Sequence, residues 1–241
     1  MSRKSKSKKA PAMNSKGIKE LQNAAKTLLA NIRFSSLDND IRTICITSTS
    51  PDEGKTTTAI ALATAIATSG ASVLLVEGDM RRRSLGKALG ATPAGGAYAV
   101  LSGEERLSDV VWRTETPNML FLDIEPNIPN PADILSSKRY VAFVETLRDS
   151  FDYVIFDTPP IGVFIDAAIL GTLTDTTILC VRKGETRRAD AEDALKQLRQ
   201  MKCPVLGCVF TFSDEQQSDY YYAYYTKEVD GAGHANMNRI K

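Results

Sequence analysis

Six short segments of this chain are apolar along most of their length, and segments with helical periodicity separate them. They are TICITS (43–48), SVLLVEGD (72–79), NMLFLDI (118–124), DYVIFDTPP (152–160), DTTILCVRKG (175–184) and PVLGCVFTF (204–212). A strand that is apolar on both sides needs cover on both sides, which is typical of a parallel sheet between two layers of helices. The alternation therefore predicts a three-layer α/β/α fold with a mostly parallel central sheet.

The intervening segments predict the helices. Apolar residues recur at helical spacing, and Gly70 follows one such run as a C-terminal stop. Helices are expected over 17–34, 56–70, 131–149 and 187–201, with two short ones within 95–111.

Composition fits one such domain. The chain has 241 residues, of which 43% are hydrophobic and 24% charged, and a net charge of +1 gives no reason to expect nucleic acid as a partner. We divide it into a disordered basic arm (1–14), an α/β domain (15–213) and a flexible tail (214–241). The arm is either a solubilising tail or a contact for anionic lipid or an acidic partner. The four cysteines lie in or beside apolar segments and are expected to be buried free thiols.

The loop TSPDEGKTTTA (49–59) follows the first strand and opens a helix. It matches the phosphate-loop pattern at Gly54, Lys55 and Thr56, although Thr49 stands where that pattern has its first glycine. Gly54 allows close backbone approach, Lys55 neutralises the β- and γ-phosphate oxygens, and the Thr56 hydroxyl can ligate Mg²⁺. The alternative is a plain strand-to-helix turn with a capping threonine. Under the first interpretation the nucleotide-binding residues are Pro51, Asp52, Glu53, Gly54, Lys55, Thr56 and Thr57.

Three acids end two other predicted strands. Glu77 and Asp79 end one, and Asp157 ends another. Each alone is also typical of a strand terminator or helix cap. Because ligands of open α/β sheets bind at the carboxyl edge, the three acids and the loop together predict a site for ATP and Mg²⁺ there. The predicted metal ligands are Thr56, Asp79 and Asp157, and the predicted catalytic residues are Lys55, Glu77, Asp79 and Asp157.

Five of the eight tyrosines fall within six residues of the tail. They are Tyr220, Tyr221, Tyr222, Tyr224 and Tyr225. A core would spread them at a period of 2 or 3.6. The cluster is therefore a candidate modification site, and the alternative is an aromatic low-complexity patch or an edge strand.

Three motifs in this order resemble those of the bacterial protein-tyrosine kinases that control capsular and exopolysaccharide synthesis. The motifs are EGKT (53–56), LLVEGDMR (74–81) and FDYVIFDTPP (151–160), and the likeness extends over about residues 20–228. The resemblance implies a P-loop NTPase fold, ATP and Mg²⁺ as cofactors, and autophosphorylation of the tyrosine cluster. It also implies that Asp79 activates the acceptor hydroxyl, with Glu77 as a co-ligand or helper.

The chain departs from the family pattern at named positions. Glu77 replaces an aspartate, which moves the carboxylate by one methylene. The family's three charged positions for ring assembly fall on Asn23, Lys26 and Leu29, so a homo-oligomer is compatible with the sequence but a ring is disfavoured. Thr211 stands where the wider ATPase group has an asparagine near adenine.

The resemblance also implies partners and a location. They are a membrane-anchored polysaccharide co-polymerase that activates the kinase through its cytoplasmic tail, protein-tyrosine substrates and a cognate phosphatase. No signal peptide or spanning segment is evident, so the protein is expected to be cytoplasmic and recruited to the inner face of the plasma membrane by its partner. Two other functions stay open: an ATPase switch of the partitioning type, and a scaffold without ATP turnover.

Overall fold

The computed structural model describes residues 15–36 and 40–213 and has one seven-stranded sheet in the order β3-β4-β2-β5-β1-β6-β7. All neighbouring strands are parallel except β3 and β4. The strands are β1 (Thr43–Ser48), β2 (Val73–Glu77), β3 (Trp112–Arg113), β4 (Met119–Leu122), β5 (Tyr153–Asp157), β6 (Thr176–Arg182) and β7 (Val205–Thr211). The six predicted strands are all present.

Helices cover both faces of the sheet, which confirms the three-layer prediction. Along β2, Leu75 packs in a cluster with α1 and α2, whereas Leu74 packs in a separate cluster with α7. The helices are α1 (Ser15–Ser35), α2 (Lys55–Thr68), α3 (Leu85–Leu89), α4 (Ala97–Ser102), α5 (Leu107–Val110), α6 (Pro131–Leu135), α7 (Lys138–Ser150), α8 (Asp166–Gly171) and α9 (Arg188–Gln200). As predicted, Gly70 follows the end of α2 in a left-handed conformation with φ of 94°.

Two predictions, one about the helix over 131–149 and one about Cys208, are wrong. The single helix over 131–149 is two helices, because the Ser137 side chain accepts the Tyr140 N–H and so begins α7 as its N-cap. Cys208 is exposed rather than buried, because β7 is the last strand of the sheet and part of its surface lacks cover. Cys45, Cys180 and Cys203 are buried free thiols as expected.

Two other sequence predictions lie outside the described residues: the basic arm (1–14) and the tail (214–241). Within 15–36 and 40–213, the helices are all too short or too polar to cross a membrane.

Candidate active site

The register of the sheet brings the ends of three strands together. Asp157, the last residue of β5, pairs with Glu77 on β2 and with Ile46 on β1. The three strands are adjacent and parallel, so the loop that leaves β1 starts at the same edge as both acids. This edge brings together the site residues predicted from three separate motifs.

The loop between β1 and α2 has the backbone shape of an anion-binding turn. Asp52 and Gly54 are left-handed, with φ of 61° and 84°, and the first helical hydrogen bond runs from Thr58 N–H to Gly54 O at 2.9 Å. No side chain caps this helix, and in the described part of the chain no acceptor is present for the N–H groups of Gly54, Lys55, Thr56 and Thr57. Adjacent N–H groups at the start of a 14-residue helix attract anions. The N-cap of this helix is Gly54, so the loop lacks the capping threonine of a plain strand-to-helix turn.

The other predicted loop residues differ in what they offer a phosphate. Pro51 has no N–H and contributes only backbone shape, and Thr57 is exposed. Lys55 is half-buried, and its charge opposes the rise in pKa that burial causes at Asp79 and Asp157. The Glu53 side chain is buried and points into the loop rather than outward.

Thr56 and Asp157 form the centre of the site. The Thr56 hydroxyl donates to Asp157 Oδ2 at 2.6 Å and lies 2.9 Å from the hydroxyl of Ser84, a residue that the sequence analysis did not select. Asp157 Oδ1 is buried and has no hydrogen-bond partner among the described residues. Burial raises the pKa of Asp157 to about 6, and the hydrogen bond from Thr56 opposes that rise. A hydroxyl beside an unpartnered carboxylate oxygen fits Mg²⁺, which takes one or two such ligands together with substrate phosphates.

Glu77 uses both carboxylate oxygens within its own loop. Oε1 accepts the Asp79 N–H at 3.2 Å, and Oε2 accepts the N–H groups of Ser84 and Leu85 at 2.7 and 2.9 Å. Burial, and then the charge of Asp157, raise the pKa of Glu77 to about 8. The side chain therefore shapes the segment that carries Asp79.

Asp79 is half-buried, and one of its two oxygens has protein partners. Oδ1 accepts the N–H groups of Arg81 and Arg82 at 3.0 and 2.8 Å, whereas Oδ2 accepts no hydrogen bond from the residues that the structure describes. Burial raises its pKa, and those two N–H groups and Lys55 oppose the rise. A carboxylate with one fixed and one available oxygen is suited to accept a proton.

Two arginines after Asp79 pair with buried acids that the sequence analysis missed. Arg81 donates to both oxygens of Asp166, at 2.6 and 3.2 Å, and its guanidinium lies 4.3 Å from the centre of the Phe164 ring. Arg83 pairs with Asp123. The only signal in the sequence was the run of three arginines, because nothing local indicates where their partners lie.

A polar cleft of about 570 Å³ opens beside the same segment. It is lined by Met80, Arg81, Asn127, Ile128, Asn130, Pro131, Ala132 and Asp133. Asn127 and Asn130 have left-handed backbones, with φ of 62° and 47°. The cleft thus joins the segment after Asp79 to the segment PNPADILSS (129–137), which contributes nothing to the candidate nucleotide site described above.

The remaining selected residues divide into two groups. The tyrosines Tyr220, Tyr221, Tyr222, Tyr224 and Tyr225 lie outside the described residues. On α1, Asn23 and Lys26 are exposed, whereas Leu29 is 5% exposed and packs in the core. Leu29, one of the three positions that the ring motif would need on the surface, is therefore buried.

Comparisons with known proteins agree with this geometry. A family model described as an AAA domain matches residues 41–202. The chain is 37% identical over 204 residues to Tyrosine-protein kinase CpsD of Streptococcus pneumoniae serotype 4, which covers 84% of this chain and 89% of that protein. Its structure resembles the BceF tyrosine kinase domain, with a TM-score of 0.71, 31% identity and coverage of 78% and 76% of the two chains.

A more distant neighbour supports the fold alone. The septum site-determining protein MinD of Pyrococcus horikoshii, solved as a complex with Mg-ADP, has a TM-score of 0.61 and 22% identity over 72% of each chain. The fold is thus that of the P-loop ATPases.

Proposed function

The chain belongs to the family of bacterial tyrosine-protein kinases, and we propose that it transfers the γ-phosphate of ATP to tyrosine hydroxyls. Its first acceptors are the tyrosines of its own C-terminal cluster, and its role is to regulate the biosynthesis and export of capsular or extracellular polysaccharide. The observation that carries this proposal is the buried Asp157 Oδ1 next to the Thr56 hydroxyl, at the start of a helix with four N–H groups. Within residues 15–36 and 40–213, neither that oxygen nor those N–H groups have a hydrogen-bond partner.

Both backbone N–H groups and side chains contribute to the nucleotide site. The N–H groups of residues 54–57 bind the phosphates, and Lys55 neutralises charge on the β- and γ-phosphate oxygens. Thr56 and Asp157 would hold Mg²⁺, and the ion would reduce charge repulsion at the transferred phosphoryl group. Asp79, the third predicted metal ligand, has one oxygen occupied by backbone N–H groups and is assigned to proton transfer instead.

Asp79 acts as the general base. A phenol with a pKa of about 10 is a weak nucleophile unless its proton is accepted during the reaction. Asp79 Oδ2 accepts that proton, the tyrosine oxygen bonds to the γ-phosphorus, and the bond from that phosphorus to the β–γ bridging oxygen breaks to release ADP. Glu77 holds the loop in which Asp79 sits.

The acceptor segment approaches over the polar cleft. Arg81 lines this cleft two residues after Asp79, and the amides of Asn127 and Asn130 can pair with an extended peptide. We propose that the segment comes from a second copy of the chain.

Family membership supports the proposed partners. They are a membrane-anchored polysaccharide co-polymerase whose cytoplasmic tail activates the kinase, other tyrosine-bearing proteins, a cognate phosphatase and a homo-oligomer without a fixed ring. The partner's tail brings the kinase from the cytoplasm to the inner face of the plasma membrane.

The test is detection of phosphotyrosine and of released phosphate after incubation of the purified chain with Mg·ATP, with and without the partner's tail peptide. A kinase yields phosphotyrosine, a partitioning-type switch yields phosphate without phosphotyrosine, and a scaffold yields neither. Lys55→Met should lower both signals, and Lys196→Met, at an exposed position on α9, is the matched control. Equal phosphotyrosine in wild type and Lys55→Met would contradict the proposed site.

A further inference from the structure

A carboxylate is buried inside the anion-binding loop. Glu53 is 5% exposed, and its Oε2 accepts the backbone N–H groups of Thr49 and Ser50 at 2.9 and 3.1 Å. A negative charge so close to a phosphate site opposes anion binding unless protein groups compensate it. The groups that surround Glu53 therefore have to compensate its charge.

Hydroxyl groups complete the surroundings of Glu53. The Thr49 hydroxyl donates to both carboxylate oxygens at 2.8 and 2.9 Å, and Thr186, between β6 and α9, donates to Oε1 at 2.5 Å. Thr186 Oγ in turn accepts the Arg182 N–H at 2.9 Å. The Glu53 carbonyl accepts the Thr211 hydroxyl at 2.9 Å. Glu53 therefore links the loop to the ends of β6 and β7.

This arrangement divides the N–H groups of the loop into two sets. Those of Thr49 and Ser50 point inward to Glu53, whereas residues 54–57 have none of their N–H groups used within the described chain. An internal anion that occupies the first set fixes the turn at Asp52 and Gly54, and so presents the second set to a ligand. A preset loop binds phosphate without a further ordering cost.

We propose that Glu53 is a positioning residue that presets the phosphate loop for ATP, and that Thr186 sets its position from the β6–α9 connection. This inference rests on the proposed function, because it assumes that ATP binds at this loop. Glu53 touches neither the phosphates nor the acceptor, and acts through the backbone.

The hydrogen bonds of the Glu53 side chain predict weaker ATP binding for one substitution and nearly unchanged binding for another. Glu53→Ala removes the acceptor for two N–H groups and two hydroxyls, and should raise the KM for ATP and the Kd for a fluorescent ATP analogue on the order of 10-fold or more. Glu53→Gln should stay within about 3-fold of wild type, because its amide oxygen can occupy the Oε2 position and its NH₂ can donate to Thr186 Oγ. Rescue by glutamine shows that the shape of the loop, not the charge, matters.

Thr186→Val tests the link to the β6–α9 connection. It should raise the KM for ATP about 3-fold or more with less change in kcat, and should add little to the effect of Glu53→Ala when the two are combined. Glu185→Gln and Thr172→Val are matched controls at exposed positions and should leave the KM unchanged.

The outcomes separate this inference from the proposed function. A wild-type chain that does not bind the ATP analogue contradicts the proposed function itself. A wild-type chain that binds it, with Glu53→Ala binding equally well or with Glu53→Gln as weak as Glu53→Ala, overturns the role of Glu53. If Glu53→Ala does not fold, Thr186→Val decides, and an unchanged KM overturns the proposal.

Discussion

Glu77 and Asp157 are register partners on adjacent parallel strands, and both side chains are buried. They nevertheless differ in their partners. Glu77 accepts three backbone N–H groups, whereas Asp157 keeps one oxygen without a partner among the residues that the structure describes. Two neighbouring carboxylates therefore have different tasks: one shapes a loop and the other is available to a cation.

Substitutions of Glu77 and of Asp79 should distinguish the residue that fixes the loop conformation from the residue that accepts the proton. At a pH above the Glu77 pKa of about 8, where the carboxylate accepts all three N–H groups, Glu77→Gln sets an NH₂ group against a backbone N–H donor. There it should lower the free energy of unfolding by about 1–3 kcal/mol and reduce kinase activity with it. Asp79→Asn should abolish phosphotyrosine formation with a smaller effect on stability. Thermal unfolding and a kinase assay on both variants check this, and an active Asp79→Asn beside an inactive Glu77→Gln would reverse the assignment.

Substitutions in the polar cleft should affect the acceptor and not the nucleotide. In Asn130→Gly and Asn127→Gly, which keep the left-handed backbone accessible, phosphotransfer to a peptide that contains residues 214–228 should fall several-fold, because each variant loses about one hydrogen bond to the peptide. The affinity for an ATP analogue should be unchanged. Equal peptide phosphorylation in both variants and wild type would exclude the cleft as the route of the acceptor.

Phosphorylation between chains has a direct test. A full-length Lys55→Met chain offers tyrosines without activity, and a chain truncated after residue 213 offers activity without those tyrosines. Their mixture with Mg·ATP should give phosphotyrosine on the full-length chain. A mixture that stays unphosphorylated, although the intact wild type is phosphorylated, indicates transfer within one chain.

The partner's cytoplasmic tail should raise ATP affinity and autophosphorylation together. A partner that orders the nucleotide site stabilises the binding-competent state, and so changes both quantities in the same direction. Kd and phosphotyrosine measured with and without the tail peptide check this, with a scrambled peptide as the control. Full activity of the isolated chain, unchanged by the peptide, would mean an autonomous kinase.

Asp175 should stabilise the fold in a pH-dependent way. Its Oδ2 accepts the N–H groups of Arg42 and Thr43 at 2.9 and 2.8 Å and the Thr43 hydroxyl at 2.9 Å. Burial alone would raise its pKa, but these hydrogen bonds and Arg148 hold the pKa below its usual value. A lowered pKa in the folded state gives stability that is present above the unfolded pKa of about 4 and is lost as the pH falls through the folded value.

Asp175→Asn should therefore cost about 1–3 kcal/mol of unfolding free energy at pH 7. The difference from wild type should shrink as the pH falls below about 4, where the wild-type carboxylate becomes protonated. Denaturant unfolding of the variant and the wild type, at pH 7 and at a pH below about 4, measures this difference in free energy. Asp149→Asn, at an exposed position on α7, is the control. A difference that does not change with pH would contradict the role of the charge.

Local patterns predicted most of the fold, because each main strand is a continuous apolar run. The strand over 43–48 has the predicted bounds, and β5 ends at Asp157, within the predicted segment. β3 was missed because two residues carry no periodicity. α3 and α8 were missed because helices of five and six residues lie inside segments that look like loops.

The candidate site was predictable only where it is continuous in sequence. Gly54, Lys55 and Thr56 share one motif, so their proximity follows from the chain itself. Ser84, Asp123 and Asp166 reach the site or its supporting arginines through tertiary packing, and no spacing in the sequence indicates such partners. The burial of Glu53 was missed for the same reason, since Thr186 is its partner from a distant connection.

Gly54 lies so close to Thr211 that a Cβ at position 54 would be 3.1 Å from Thr211 Cγ2. The size of the phosphate loop is thus limited by the last residue of β7, whereas the acids come from β2 and β5 on the other side of β1. The fit of a phosphate against Gly54 and the spacing of the acids are consequently set on opposite sides of β1. A side chain of different volume at position 211 should change the fit of the nucleotide while the spacing of the acids stays the same.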